Sequence, residues 1–425
     1  MAVIELRTLI CGKPAGTLWQ DEAGLPHFRY DEDYRGIPLS LAMPLSNRPY
    51  NQQVIRPYLF GLLPDSEFQR RAIADEFEIR PNNPVTMLSC IGLDCPGGVQ
   101  FCPANRVEEV LRRPTHYEPV DDHAIALRLK SLRTDEDASW LGEDERWSLG
   151  GNQGKFALAW HDGRWCSAHG AAPTTHIFKN GVIGFKLQAL NEYACMKIAE
   201  RAGVATAEVN YRFFEDEPAL IVKRYDRIFL EDGTAVRIHQ EDCCQALGYM
   251  PDQKYAADGG PGARDLVRLF ARTNRADFNV ASFTYMLFFN YLIGGTDAHA
   301  KNYSLMLAEG GSAIIAPMYD VASGLAYDSI RRKGRLAMGI GGENRFGRVG
   351  SGALKRYAEA AQQAGAQISY ETCLTFMTDL AQEIPVSLAV VFDEMSAAGM
   401  PGTGELRERV EGPITENCRQ TLALL

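Results

Sequence analysis

The chain has 425 residues, 46% hydrophobic and 23% charged, which is room for two or three domains with a substantial core and too apolar for a disordered chain. Its formal net charge of −10 argues against a free-standing nucleic-acid binder, whose footprint would be basic. The ten cysteines lack the paired C-x-x-C spacing of a zinc site, the N-terminus lacks a basic region followed by an apolar core, and no apolar run reaches bilayer length; the expectation is a cytoplasmic protein with reduced thiols and no membrane segment.

Residues 1 to about 60 alternate with Gly, Pro and acidic breaks and predict short strands around Val3–Leu9, Gly12–Leu18 and Gly24–Tyr30. A helical section begins at Tyr58, with Asp65 or Ser66 as a cap and a solvated face of arginines. A helix over Val85–Ile91 leads into the glycine-rich segment Gly92–Phe101, and surface helices are expected at Val107–Leu111 and Asp121–Leu132. The acidic runs Asp135–Asp137 and Gly142–Glu145 predict a solvated connection, and a domain boundary is placed near them.

Ser148-Leu149-Gly150-Gly151-Asn152-Gln153-Gly154-Lys155 then enters a hairpin, Phe156–Trp160 and Trp165–Ala168, with an Asp-Gly turn. A mobile glycine loop running into a strand can lay backbone N–H groups over phosphates; three glycines in five residues equally mark an ordinary turn. Thr174–Lys179 alternates like a strand and puts Lys179 at its end, followed by a helix from Asn191, as cap, to Ala202. A strand lysine held by a helical carboxylate, here Glu192, is the arrangement that grips nucleotide phosphates, with Lys186 as a rival lysine. Pro218–Arg227 is an apolar strand leaving into charge, where a hinge between lobes would pass; Arg224, Asp226 and Arg227 there read otherwise as a surface ion-pair cluster. Cys243 with His239 raises a thiol nucleophile as a minor alternative, and Arg331–Arg335 is a basic run that reads as a solvated loop by default, with contact to phosphate or to an acidic partner as the alternative.

The richest stretch is Asn290–Asn302. An apolar helix over Phe283–Ile293 breaks at Gly294 and Gly295, one of them expected at positive φ, into Thr296-Asp297-Ala298-His299-Ala300-Lys301-Asn302. A further carboxylate, Asp320, follows a short strand over Ser312–Ala316. Phosphoryl transfer needs positioning and charge neutralisation: one Asp accepts the proton of the attacking hydroxyl, while an Asn and a second Asp hold magnesium on the phosphates. The D-x-x-x-x-N spacing with a later Asp fits that division of labour, although an Asp and an Asn ordering a turn share it. Helices follow at Ala263–Ala271, Ala353–Ala364, Tyr370–Gln382 and Pro385–Ala398.

The wording Gly-Gly-Thr-Asp-Ala-His-Ala-Lys-Asn-Tyr with Met-Tyr-Asp-Val-Ala-Ser resembles the catalytic and metal segments of the HipA family, serine/threonine kinase toxins of bacterial toxin and antitoxin pairs. Leu-Leu-Pro-Asp-Ser, Thr-Thr-His-Ile-Phe-Lys, Val-Lys-Arg-Tyr-Asp-Arg, His-Gln-Glu-Asp-Cys-Cys-Gln-Ala-Leu-Gly and Lys-Tyr-Ala-Ala-Asp-Gly-Gly-Pro-Gly are similar to further family segments, in the family's order. The resemblance implies an α+β, two-lobed protein-kinase-like fold: a β-rich subdomain over 1–135 and a kinase core over 136–425, divided into 136–228 with the glycine loop and 229–425 as the mainly helical lobe. It implies ATP and Mg2+ as cofactors, Asp297 as catalytic residue, Asn302 and Asp320 as metal ligands and Lys179 on the phosphates. Gly150, Gly151, Asn152, Gln153, Gly154 and Lys155 would cover the nucleotide, with Lys223, Arg224 and Tyr225 as adenine hinge and Gln240, His299 and Lys301 nearby. Ser148 matches a serine of inactivating autophosphorylation, and Gly150 replaces the family's usual alanine. The implied partners are a helix-turn-helix antitoxin, operator DNA only through it, and a protein substrate such as an aminoacyl-tRNA synthetase. A catalytically silent module acting as corepressor with that antitoxin is the alternative.

Overall fold

A computed structural model describes residues 4–135, 139–142 and 144–425. The backbone divides into two compact units, Met1–Asn180 with Arg212–Asp252 and Ser304–Ala313, and Gly181–Tyr211 with Gln253–Tyr303 and Ile314–Leu425. All ten cysteines are free thiols, eight of them buried.

The first unit is built on two sheets. The smaller has the order Pro26–Tyr30, Lys13–Gln20, Glu5–Ile10, Val99–Pro103, antiparallel throughout. The larger runs Thr115–Pro119, Arg164–Gly170, Lys155–His161, His176–Lys179, Glu217–Lys223, with Val209–Phe214 at the far edge. One apolar cluster joins them, from Leu18, Phe28 and Phe101 to Phe156 and Phe178, whose stacked rings lie 5.0 Å apart. The Asp162-Gly163 turn has positive φ at both residues, 48° and 76°, the geometry that lets a two-residue turn match strand twist.

Several expectations change here. Gln52–Gly61 is a helix, capped by Asn51, where the sequence suggested strands; Pro57 within it masks the helical pattern. Thr115–Pro119 is an edge strand that the polar composition hid. Of the acidic connection, Glu136, Asp137 and Glu143 lie outside the described residues, and Glu145 is not solvated at all. Its buried carboxylate takes both ends of Arg128 at 2.9 Å and accepts from Gly142 N, Ser167 Oγ and, at 2.9 Å, Trp147 Nε1.

The arginines after the strand Glu217–Lys223 are buried rather than superficial. Arg224 grips Asp226 with Nε and Nη2 at 3.0 and 2.9 Å, and Asp94 receives Arg227 at 2.9 Å, Arg237 at 2.8 Å and the amide and hydroxyl of Thr174. Asp226 also accepts from Gly97 N at 2.6 Å, so the loop Gly92–Gly98 is pinned by charge-assisted bonds. The Asp94 carboxyl opposes desolvation with three guanidinium groups and is held far below the usual carboxylate range. Such a network is costly to bury and costlier to break: loss of one partner strands a charge, at about 3–5 kcal/mol.

The second unit is helical. Its centre is Ala276–Ile293, apolar nearly all round and buried over most of its length. Gln188–Arg201, Ala263–Phe270, Ser351–Gln363, Tyr370–Ala397 and Thr403–Leu422 surround it. Tyr370–Ala397 is one helix that passes through Pro385, not two; length and composition alone would let it cross a bilayer, yet its apolar face packs on Ala276–Ile293 and Thr403–Leu422. Asn191 is not a cap. The helix starts at Gln188, and Asn191 is buried within it, its amide exchanging two hydrogen bonds with the backbone of Ser323, at 2.9 and 3.1 Å.

In the first unit His239 and Glu241 are fully buried side by side on either side of Gln240. His239 Nε2 donates to Leu39 O at 2.9 Å and Nδ1 accepts from Gly98 N, so the ring is neutral; burial lowers its pKa from 6.5 to about 4. Glu241 accepts from Leu41 N at 2.7 Å, and burial raises its pKa from 4.5 to about 8. Between about pH 4 and 6.5 the unfolded chain holds the His239 proton and the folded chain does not, so this group adds stability as pH rises. Glu241 acts in the opposite sense: from 4.5 to about 8 the folded chain keeps a proton that the unfolded chain releases, and stability falls as pH rises. Above 6.5 only the second effect is left. The urea midpoint of the protein should therefore decline from pH 6.5 to 8, and Glu241→Gln should flatten that decline; an equal decline in the variant would assign it to other groups.

Candidate active site

The helix Ala276–Ile293 ends under unusually complete control. Gly294 is left-handed, φ 73°, and a Cβ there would sit 2.3 Å from Leu325 Cγ; a Cβ on Gly295 would meet Asn290 Oδ1 at 2.6 Å. Gly295 N closes onto Asn290 O at 2.7 Å. Asn417 Nδ2 takes the carbonyls of Tyr291 and Leu292 at 2.8 and 2.9 Å, and Ser323 Oγ takes that of Ile293 at 2.6 Å. The four carbonyls that a helix end leaves unsatisfied are thus all bonded.

The polar loop leaves from that fixed point. Asn302 Nδ2 donates to Asp297 O at 2.8 Å, His299 N to the same carbonyl at 2.8 Å, and Ala300–Asn302 forms one turn of 3-10 helix. The Asp297 carboxylate stands out of this closed loop, 67% exposed. His299 beneath it is 4% exposed, with Nε2 3.8 Å from Asp297 Oδ1; burial lowers its pKa against the pull of Asp297, so the ring is held neutral. Asp320 has φ 60°, a left-handed conformation that Asp and Asn tolerate better than other side chains and that tends to be kept where function needs it. Its neighbour Tyr319 donates to Lys301 O at 2.8 Å, and Met318 N donates to Ala205 O at 2.8 Å, which fixes the segment on both flanks. Asp297 and Asn302 thus share one loop, and Tyr319 ties the segment that carries Asp320 to it.

This donor set suits a hard divalent cation. With Nδ2 of Asn302 committed to Asp297 O, the amide presents its oxygen, and Asp320 supplies one carboxylate. Among the described residues no group of three or more His, Cys, Asp or Glu stands together, so a cation here would depend on oxygens from another molecule, as magnesium on phosphates does.

In the first unit the glycine loop is latched to its neighbours. Trp147 bridges Asp94 and Ser148 N donates to Asp94 O at 3.1 Å; Asp65 N donates to Gly151 O at 2.9 Å, and Gly151 N to Asp65 Oδ1 at 3.3 Å. Gly151 has φ 99°, and a Cβ there would lie 2.6 Å from Lys155 Nζ, which instead bonds Gly150 O at 2.9 Å. Arg70 is no solvated residue: Nη1 donates to Pro64 O and Asp65 O, both at 2.7 Å, and so holds the latch. Asn152 is exposed, Gln153 and Gly154 partly so, and Ser148 is 1% exposed.

Lys155 and Lys179 face each other across adjacent antiparallel strands, both buried, at 7% and 6% exposure. The rival Lys186 is exposed and paired with Glu405 at 2.7 Å. Glu192 is buried on Gln188–Arg201. At the expected hinge, Lys223 ends its strand, Arg224 N donates to Thr175 O at 2.9 Å and Tyr225 OH donates to Gln240 Oε1 at 3.0 Å. The Arg224 guanidinium is spent in the buried network, so what it can offer a ligand is main chain. Cys243 has its thiol raised by burial and His239 is bonded elsewhere, which leaves no nucleophile pair.

The latch residue Asp65 was not foreseen as part of the site, nor were Asn417 and Tyr255. Removing the carboxylate in Asp65→Ala should free the loop and speed tryptic cleavage after Lys155 severalfold without lowering the unfolding free energy of the whole chain by more than about 1 kcal/mol. Unchanged cleavage would mean that Asp65 does not restrain it.

Residues 147–388 match the family model of the HipA-like C-terminal domain, and residues 6–102 that of the HipA N-terminal domain. The chain is 35% identical over 340 residues, 78% of its length and 79% of the other, to Y4mE of Sinorhizobium fredii, which is named as a kinase. It is 29% identical over 378 residues, 86% of its length and 83% of the other, to the serine/threonine-protein kinase toxin HipA of Shewanella oneidensis. A chain in the solved complex of HipA, HipB and operator DNA from Shewanella oneidensis superposes with a TM-score of 0.81 at 23% identity, covering 99% of this chain and 98% of that one.

Proposed function

The chain belongs to the HipA family of serine/threonine kinase toxins, and on that footing we propose that Asp297 accepts the proton of a protein serine or threonine hydroxyl while Lys179 and Lys155 hold the phosphates of ATP. The observation that carries this is the closed loop in which Asn302 fixes the Asp297 backbone and leaves the Asp297 carboxylate exposed. Asn302 Oδ1 and the Asp320 carboxylate would hold Mg2+, which when bound neutralises charge between phosphates. The glycine loop Gly150–Gly154 would cover the phosphates with backbone amides, and the Lys223–Tyr225 main chain with Gln240 would meet the adenine. His299 and Lys301 shape the floor under the reacting groups; a neutral, buried His299 adds no competing cation.

The substrate we favour is a component of bacterial translation such as an aminoacyl-tRNA synthetase, so that phosphorylation in the cytoplasm arrests growth. The net charge of −10 leaves DNA contact to a basic helix-turn-helix antitoxin, which would join this chain to its operator. With purified protein, labelled ATP and a bacterial lysate, background taken from lysate alone, Asp297→Ala should abolish transfer while the fold stays intact. Asp320→Asn, which keeps the left-handed backbone, should lose magnesium-dependent ATP binding by calorimetry. Transfer retained in Asp297→Ala, or unchanged affinity in Asp320→Asn, would reject the respective role.

Ser148 is proposed as a site of self-phosphorylation that shuts the enzyme off. Its burial means that the loop must first leave Asp94 and Asp65, and a phosphate carrying about −1.5 to −2 charges could not return beneath them. Intact mass after Mg-ATP should show one added phosphate, absent in Ser148→Ala and gained faster in Asp65→Ala; a phosphate that persists in Ser148→Ala refutes the assignment.

A further inference from the structure

Lys254-Tyr255 lies against the catalytic loop, with Ala300 N donating to Lys254 O. Tyr255 OH donates to Asp297 Oδ1 at 2.5 Å. The phenol ring stands edge-on to His299, 4.8 Å between centroids, and the Lys254 ammonium lies 5.6 Å from its centre. Its ring is thus packed in place while the hydroxyl reaches an otherwise exposed acid.

An exposed aspartate has two freely turning oxygens, and a base of that kind wastes most of its orientations. From the geometry we infer that Tyr255 is a positioning residue for the transfer: its O–H occupies Oδ1 and fixes the carboxylate plane, which leaves Oδ2 to accept the proton of the acceptor hydroxyl. Tyr255 exchanges no proton with substrate. When the acceptor oxygen forms its bond to phosphorus and the bond to the leaving phosphate breaks, the acceptor proton passes to Oδ2 and the Tyr255 proton stays on its own oxygen. The hydrogen bond strengthens the arrangement because its acceptor is ionised.

The inference rests on Asp297 being the base, and the test separates the two. Full-length Tyr255→Phe keeps the ring, its contact with His299 and the Lys254 contact, and removes only the hydroxyl. Transfer from labelled ATP into the lysate, background taken from lysate alone, should fall about ten- to hundredfold in kcat, the worth of one hydrogen bond to a charged group, with KM and Kd for ATP and the thermal midpoint unchanged. A merely structural tyrosine would move the midpoint or the ATP affinity instead. Transfer abolished in Asp297→Asn but undiminished, or faster, in Tyr255→Phe overturns the role of Tyr255 alone. Full transfer in Asp297→Asn, or none by the unaltered chain, removes the base assignment and the inference with it.

Discussion

The constraint on which the helical unit depends is the full occupation of the last carbonyls of Ala276–Ile293. A helix that is apolar on all sides is anchored by burial, but burial alone does not decide in which direction the chain leaves it. Gly294 sets the reversal and Asn417 and Ser323 fill the remaining acceptors from separate segments. Since Asn191 in turn holds the backbone of Ser323, three elements of the helical unit converge on one turn of helix. Asp297 inherits its position from that turn, three residues beyond Gly294, before any side chain of the loop contributes.

The other unit solves a similar problem with charge in place of amides. Asp94, Arg224, Asp226, Arg227 and Arg237 form a buried set that links the loop Gly92–Gly98 to the end of the strand Glu217–Lys223. Replacing such a set by apolar groups could be neutral in stability, so its value lies in geometry: directional bonds of this kind admit one register of the two segments. The entrance to the glycine loop shares this support, because Ser148 N bonds to Asp94 O and Trp147 Nε1 to Glu145.

Much of this was legible in the residues. The break at Gly294-Gly295, the Asp and Asn five positions apart and the lysine at a strand end depend on local spacing; the helix does end at Gly294, Asn302 does bond the Asp297 backbone and Lys179 does end its strand. What was illegible depends on contacts between distant segments. Asn417 lies 126 residues from Tyr291, and Tyr255 is 42 from Asp297, so neither has a periodicity to betray it. Glu145 and Arg224 failed for a related reason: charge in sequence suggests solvent, and only the fold reveals that each has a partner of opposite sign in the interior. Asn191 resembled a cap because the sequence cannot tell an amide that starts a helix from one that holds a neighbouring loop.

The cysteines, inert in all of this, have a use of their own. Cys95 in the first unit and Cys195, Cys373 and Cys418 in the second have thiols pushed up by burial to about 12, and a thiol in that state reacts only when its surroundings open. The native chain therefore carries a set of chemical clocks distributed over both units. The pace at which an alkylating reagent marks each sulfur records how often that part of the interior breathes, with no label added and no residue replaced.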